Sequence, residues 1–110
     1  HRGWTLATDN QGSAIQPEKF RLSNNYPNPF NPETTIEFSV PEQSEVMFKI
    51  YNILGEEMYQ MQDENLSSGV YRVIWNGANK FGVQVPSGIY FYQLKAGDSF
   101  IQTKKMTLLK

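Results

Sequence analysis

Residues 34–52, TTIEFSVPEQSEVMFKIYN, contain two stretches in which apolar and polar side chains alternate. The stretches cover residues 34–40 and 45–52, and the PEQS between them at 41–44 is typical of a turn. Because successive side chains of an extended chain point to opposite faces, this pattern predicts two strands that are each buried on one face. The residues predicted to face the core are Ile36, Phe38, Val40, Val46, Phe48 and Ile50.

Short segments of the same kind continue on both sides of this stretch. We predict strands at KFRL (19–22), EMYQM (57–61), GVYRVIWN (69–76), VQV (83–85), GIYFYQLK (88–95) and SFIQTKKMTLL (99–109), with a polar loop at DENLSS (63–68). No segment has the periodicity of a helix. Strands of ordinary length with turn residues between them predict an all-β fold, an antiparallel β-sandwich of about seven strands.

The composition limits both the size and the chemistry of the protein. A chain of 110 residues allows one domain, and its net charge of −1 gives no basic excess for binding nucleic acid or an anionic membrane. The absence of cysteine excludes disulfides, thiolate metal sites and a cysteine nucleophile. No apolar run approaches the length of a membrane span.

The first 17 residues differ from the rest because they show no sustained periodicity. Residues 9–13 are polar and contain glycine, which is typical of a loop. We therefore predict a linker or N-terminal arm at 1–17, with Trp4 docking on the domain, and a folded domain at 18–110. The chain begins with His1 rather than methionine, so we expect a processed piece of a longer precursor.

YPNPFNP at residues 26–32, hereafter the proline segment, is stiff before any packing is considered. Each proline fixes its own φ and moves the preceding residue out of the helical region. Tyr26 and Phe30 are large apolar groups that gain by burial, which is unusual for a flexible linker. The prolines are Pro27, Pro29 and Pro32.

SGVYRVIW (68–75) and SGIYFYQL (87–94) share the order Ser-Gly-aliphatic-Tyr. Glycine supplies a positive φ as the chain leaves a loop, and the tyrosine is expected to bury its ring while its hydroxyl reaches a backbone group. The pattern therefore predicts two similar corners at strand starts. The glycines are Gly69 and Gly88, and the tyrosines are Tyr71 and Tyr90.

The sequence offers little catalytic chemistry. His1 is the single histidine, so a Ser-His-Asp triad or a His-based metal site lacks its main component. Glu56 and Glu57 would point to opposite faces of a strand, residues 63–65 lack the spacing of a calcium loop, and residues 77–82 lack the ending of a phosphate-binding loop. We predict no enzyme activity, no cofactor and no metal.

Two groups of side chains remain for binding. Lys104, Lys105 and Lys110 lie near the C-terminus, where lysines either prevent strand pairing at an edge or form a docking signal. Tyr90 and Tyr92 lie on one face by alternation, where aromatic rings either stack on a glycan or pack in the core.

Several motifs occur together in one order along residues 19–110: LSNNYPNPFNPETTIEFSVP, IYNILGEE, SGVYRVIWNG, VPSGIYFYQL and KKMTLLK. With them the chain resembles the C-terminal sorting domain of proteins exported by the type IX secretion system of Bacteroidetes-type bacteria. It is similar also to the immunoglobulin-like domain of the flagellar hook-capping protein, which shares the pattern WNG…G…VPSGIY. Residues 1–17 match neither.

This resemblance implies a seven-stranded immunoglobulin-like sandwich attached to an upstream cargo domain. It implies secretion across the outer membrane through a dedicated machinery, then cleavage by a sortase-like peptidase with attachment at the cell surface, or release. In such a domain the proline segment would cross from the first strand to the second, with Tyr26 and Phe30 capping one end of the core. The motif and core residues would be Tyr26, Pro27, Pro29, Phe30, Pro32, Trp75, Gly77, Gly88 and Tyr90, and the docking residues Lys104, Lys105 and Lys110.

Two other functions are compatible with the sequence. A structural subunit or adhesion module would self-assemble into a surface layer or filament by adding its N-terminal arm to a neighbour's sheet edge. A glycan-binding sandwich would use the face of Tyr90 and Tyr92. Both are non-catalytic and secreted.

Overall fold

The computed structural model describes residues 4–7, as backbone alone, and residues 17–110. In these ranges it contains eight strands, and no helix there is long and apolar enough to cross a membrane. The strands are β1 (Trp4–Ala7), β2 (Arg21–Leu22), β3 (Thr34–Val40), β4 (Ser44–Tyr51), β5 (Glu57–Leu66), β6 (Gly69–Trp75), β7 (Gly88–Ala96) and β8 (Phe100–Leu108).

The strands form two four-stranded antiparallel sheets, in the orders β1-β6-β3-β2 and β5-β4-β7-β8. Strands β2–β8 are the seven strands that lie within residues 18–110. The predicted all-β, immunoglobulin-like sandwich is therefore confirmed.

The core lies between the inner faces of the two sheets, and the alternation in the sequence selects its residues. The six apolar residues predicted to face the core from β3 and β4 are each at most 1% exposed. β6 and β7 contribute alternate residues in the same way, because their registers place buried side chains opposite buried partners. The large side chains that are fully buried include Trp75, Tyr92, Phe30, Phe38 and Phe48.

Three of the predicted elements differ from the structure. β5 continues through the predicted polar loop to Leu66, because its polar residues lie at a sheet edge while Leu66 is buried. Residues 83–85 form no strand, and a single bridge joins Ala78 to Gln84. The predicted first strand at 19–22 shortens to Arg21–Leu22.

The backbone of β1 pairs with β6 of the same chain, from Trp4 opposite Val73 to Ala7 opposite Val70. It thereby adds a strand at the edge of the first sheet. Residues 1–3 and 8–16, which the predicted arm also includes, lie outside the described residues. The boundary between arm and domain stays a prediction.

Candidate functional site

The proline segment connects the two sheets through backbone hydrogen bonds at its start and in its middle. At its start, the Tyr26 and Thr35 backbones exchange two bonds of 2.9 Å with each other. Further along, the Phe30 N–H donates to the Thr107 carbonyl and the Leu109 N–H donates to the Phe30 carbonyl, both at 3.0 Å. The segment therefore crosses from β3 in one sheet to the end of β8 in the other, with cis peptide bonds before all three of its prolines.

Asparagine and threonine side chains hold this crossing with hydrogen bonds. They supply polar groups that the prolines lack, since proline has no N–H to donate. The Asn25 amide donates to Thr34 Oγ1 at 3.1 Å and to the Pro27 carbonyl at 3.2 Å, and the Thr34 hydroxyl donates to the same carbonyl at 2.9 Å. Asn28 Oδ1 accepts from the Thr107 N–H at 3.1 Å. These residues were not predicted from the sequence, although polar side chains beside prolines are a signal that could have identified them.

An aromatic cluster anchors the middle of the segment in the core. Phe30 is 1% exposed and its ring lies 5.8 Å from that of Trp75, which lies 5.6 Å from that of Tyr90 in an edge-on arrangement. The Trp75 indole N–H donates to the Ala78 carbonyl at 2.8 Å, so its polar atom is satisfied. Phe30 thus caps one end of the core as predicted.

Tyr26 does not cap the core, because its side chain is 80% exposed. The reason is register. Tyr26 pairs with Thr35, and Thr35 lies on the outer face of β3, opposite to the buried Ile36. Cross-strand partners share a face, so Tyr26 points to solvent. The prediction that both aromatic residues of the segment are buried is wrong for Tyr26.

Gly77 lies where the segment, the loop after β6 and β8 meet. Its φ is 79°, a conformation that favours glycine. A Cβ at this position would lie 3.3 Å from Gln84 Oε1, 3.4 Å from the Pro32 carbonyl oxygen and 3.7 Å from Leu108 Cδ2. The backbone conformation therefore favours glycine here, and a Cβ would also make a tight contact with the Gln84 side chain.

The two Ser-Gly-aliphatic-Tyr motifs form the predicted corners. The Tyr71 hydroxyl donates to the Ser67 carbonyl at 2.8 Å, and the Tyr90 hydroxyl donates to the Pro86 carbonyl at 2.7 Å, each bond reaching four residues back. The preceding glycines have φ values of 153° and 156°. Burial raises the pKa of both tyrosines, and the nearby Asp63 adds to the rise in the pKa of Tyr71.

Tyr92 holds the chain just before the crossing. Its hydroxyl donates to the Ser23 carbonyl at 2.8 Å, across a separation of 69 residues. The side chain is fully buried, and this burial raises the pKa of Tyr92 to about 12. The glycan-binding face predicted from Tyr90 and Tyr92 is wrong, since these rings are only 4% and 0% exposed.

The three lysines of the C-terminus point in different directions. Lys104 lies opposite the buried Tyr92 on the inner face of the sheet, whereas Lys105 lies opposite Phe91 on the outer face. Lys110 follows the end of β8, where its N–H donates to Ser87 Oγ at 2.9 Å. The lysines therefore do not form one patch on one face. Lys105 and Lys110 are exposed and Lys104 is half-buried.

Comparison with known proteins gives the same fold. The chain superposes on dimeric latent PorU from Porphyromonas gingivalis (TM-score 0.66, 19% identity, 86% of this chain and 10% of PorU). It also superposes on FlgD from P. aeruginosa, with a TM-score of 0.54 and 19% identity, over 68% of this chain and 61% of FlgD. A third structure is PorZ, an essential surface component of the type-IX secretion system of P. gingivalis. The TM-score is 0.54 and the identity 23%, over 91% of this chain and 13% of PorZ.

The chain thus spans 10% of PorU, the first of these proteins. No protein among curated sequences matches it. The family model described as "Secretion system C-terminal sorting domain" matches residues 24–108, from the residues just before the proline segment to the end of β8. With most of its length matched, this chain belongs to the family of secretion system C-terminal sorting domains.

Proposed function

We propose that this domain directs a larger precursor across the outer membrane through the type IX secretion machinery, after which the precursor is attached at the cell surface or released. The domain acts by being bound and carries out no reaction itself. The observation that supports this most is the family match over residues 24–108, which includes both the proline segment and β8.

The surface that we assign to docking is the outward side of the junction between the proline segment and β8. Hydrogen bonds from Phe30 and Asn28 hold residues 107–109, so this end of the chain has a defined shape. In the proline segment Tyr26 is 80% exposed, and Lys105 and Lys110 in and after β8 are also exposed. An exposed tyrosine ring is the kind of anchor on which protein partners bind.

We infer that residues 1–17 belong to the connection between cargo and domain, and that a sortase-like peptidase cuts there before surface attachment or release. The alternative in which the N-terminal arm adds to a neighbouring molecule has no supporting observation, since the β1 backbone pairs with β6 of its own chain.

Deleting residues 104–110 would test folding rather than docking, because it removes Met106 and Leu108, which are both 0% exposed. Point variants avoid this problem. We propose fusing the full chain to a fluorescent reporter with an export signal, in a type IX-competent host, and comparing a Lys104→Ala, Lys105→Ala, Lys110→Ala variant with the wild type. The matched control replaces the exposed lysines Lys19, Lys80 and Lys95 by alanine.

We expect the first triple variant to accumulate in the periplasm while the control leaves the cell at the wild-type level. Adding Tyr26→Ala to the first variant is expected to deepen the loss. Equal secretion of both triple variants would show that the C-terminal lysines only protect the sheet edge, and would refute their docking role.

A further inference from the structure

The two edge strands of one sheet carry opposite charges. In the sheet β5-β4-β7-β8, β5 at one end contains Glu57, Asp63 and Glu64 and no cation. β8 at the other end contains Lys104 and Lys105 and no carboxylate. Among the described residues, no ion pair involves Glu64 or either lysine. The sheet therefore ends in one acidic edge and one basic edge.

β8 offers unpaired backbone groups along part of its edge. The groups that point away from β7 belong to odd-numbered residues, as the bonds of Thr107 and Leu109 to the proline segment demonstrate. The proline segment uses only this C-terminal end. Within the described part of the chain, the outward N–H and C=O groups of Ile101, Thr103 and Lys105 bond to nothing.

β5 offers a matching set. Its outward groups belong to even-numbered residues, because the Met58 carbonyl already accepts from the Lys80 N–H, which lies outside the sheet, at 2.8 Å. The outward backbone groups of Gln60, Gln62 and Glu64 have no partner within residues 17–110. Each edge thus presents three residues that are able to extend the sheet.

We propose that the basic β8 edge of one copy of this chain pairs with the acidic β5 edge of a second copy, which extends the sheet from molecule to molecule. β5 and β8 run in opposite directions within one sheet, so identical copies placed side by side meet as antiparallel strands. This interface goes beyond the docking function and uses neither the N-terminal arm nor the proline segment.

One register satisfies both the backbone and the charges. With Thr103 opposite Glu64 of the second copy, both residues contribute outward backbone groups, and Lys104 lies opposite Asp63. The two charged residues share the inner face of the sheet, since Asp63 pairs with the buried Val46 and Lys104 with the buried Tyr92. Opposite charges in directly opposed positions stabilise a strand pair.

Other pairings of the same edges are less favourable. Two β8 edges would bring four lysines together, and two β5 edges would bring acidic strands together, so like charges oppose both symmetric dimers. The favoured contact is therefore head-to-tail, between β8 of one copy and β5 of the next. It leaves one β5 edge and one β8 edge unpaired at the two ends of the assembly. Such an interface grows into an open chain of molecules unless its rotation closes a ring.

The test is the weight-average mass of the full chain in sedimentation equilibrium, measured from roughly 10 µM to 1 mM, where small interfaces associate. It compares a buffer of about 0.02 M salt with one of about 1 M, in which the screening length is about 3 Å. Two charge-reversal variants are needed: Lys104→Glu with Lys105→Glu, and Asp63→Lys with Glu64→Lys. Lys19→Glu with Lys80→Glu is the matched control, and thermal unfolding verifies that each variant is folded.

We expect the mass of the wild type and of the control to rise at least twofold with concentration at low salt and to stay at that of one chain at high salt. Each edge variant alone is expected to be monomeric, because both of its edges then carry the same sign. An equimolar mixture of the two variants is expected to associate again. A wild type that stays monomeric at low salt, or a mixture that stays monomeric, would overturn the proposal.

Discussion

Strands β3 and β4 and the junction between the proline segment and β8 are held together in different ways. In the two strands, alternate side chains over contiguous residues are buried almost completely in the core. In the junction, a few hydrogen bonds join residues that are far apart in the chain, such as Asn28 and Thr107, separated by 79 positions.

This difference teaches which changes are global and which are local. Burial of large apolar side chains stabilises the whole sandwich, so its loss lowers the free energy of unfolding of the entire domain. The exposed hydrogen bond between Asn28 and Thr107 is expected to contribute less, and its loss is expected to leave the rest of the domain folded. At the end of β8, loss of the buried Leu108 is therefore expected to act globally, whereas loss of the exposed bond between Asn28 and Thr107 is expected to act locally.

The largest effect is expected at the buried strands. Phe48→Ala removes a side chain that is 0% exposed and is expected to lower the free energy of unfolding by about 3–5 kcal/mol. Ile74→Ala, at a residue that is 56% exposed on the outer face, is expected to cost no more than about 1 kcal/mol. Urea unfolding measures both. Similar losses in the two variants would contradict the assignment of the inner faces.

Stability at high pH tests the anchor at Tyr92. The folded pKa of about 12 lies above the ordinary value of 10.0, so between these values the unfolded chain loses a proton that the folded chain keeps. The stabilisation, up to about 3 kcal/mol, is therefore complete below pH 10 and is lost as the pH rises toward 12. Raised pKa values at Tyr71 and Tyr90 act in the same direction.

Tyr92→Phe is expected to reduce this alkaline loss of stability while lowering stability at neutral pH by about 1 kcal/mol, because the bond to the Ser23 carbonyl is absent. Unfolding in urea at a series of pH values measures both effects. An unchanged dependence on pH in this variant would mean that Tyr92 does not titrate as its burial implies.

Gly77→Ala and Gly55→Ala compare a glycine in the crowded junction with a glycine in an open turn. The left-handed conformation alone costs a non-glycine residue about 1–2 kcal/mol. Gly55→Ala is the matched control, since Gly55 has φ 81° and no atom would lie within 4 Å of its Cβ. We expect Gly77→Ala to lose more stability than Gly55→Ala, because its Cβ also meets Gln84 and Pro32. Equal losses would show that the junction relaxes without cost.

The smallest effect is expected at Asn28. Asn28→Ala removes one exposed hydrogen bond, worth about 0.5–1.5 kcal/mol, and is expected to speed hydrogen exchange at the Thr107 amide. Asn24→Ala, at an exposed neighbour of the proline segment, is the control. If both variants leave exchange at Thr107 unchanged, Asn28 does not hold the end of β8.

The sequence predicted those features that depend on neighbours along the chain. Alternation identified the core faces of β3 and β4, and two short motifs predicted the corners at Tyr71 and Tyr90. The extension of β5 and the exposure of Tyr26 were not predicted, because both depend on the register with a partner strand, which alternation within one segment does not reveal. The opposite faces of Lys104 and Lys105 follow from alternation, and the sequence analysis did not use that signal.

The most direct test of the account is the location of a reporter fused to the full chain. The reporter carries an export signal and is measured in the periplasm, at the cell surface and in the medium, in a type IX-competent host and in the same host without its secretion machinery. The account predicts that the fusion leaves the periplasm only when the machinery is present, while the reporter alone never does. A fusion that stays in the periplasm of the competent host would contradict it.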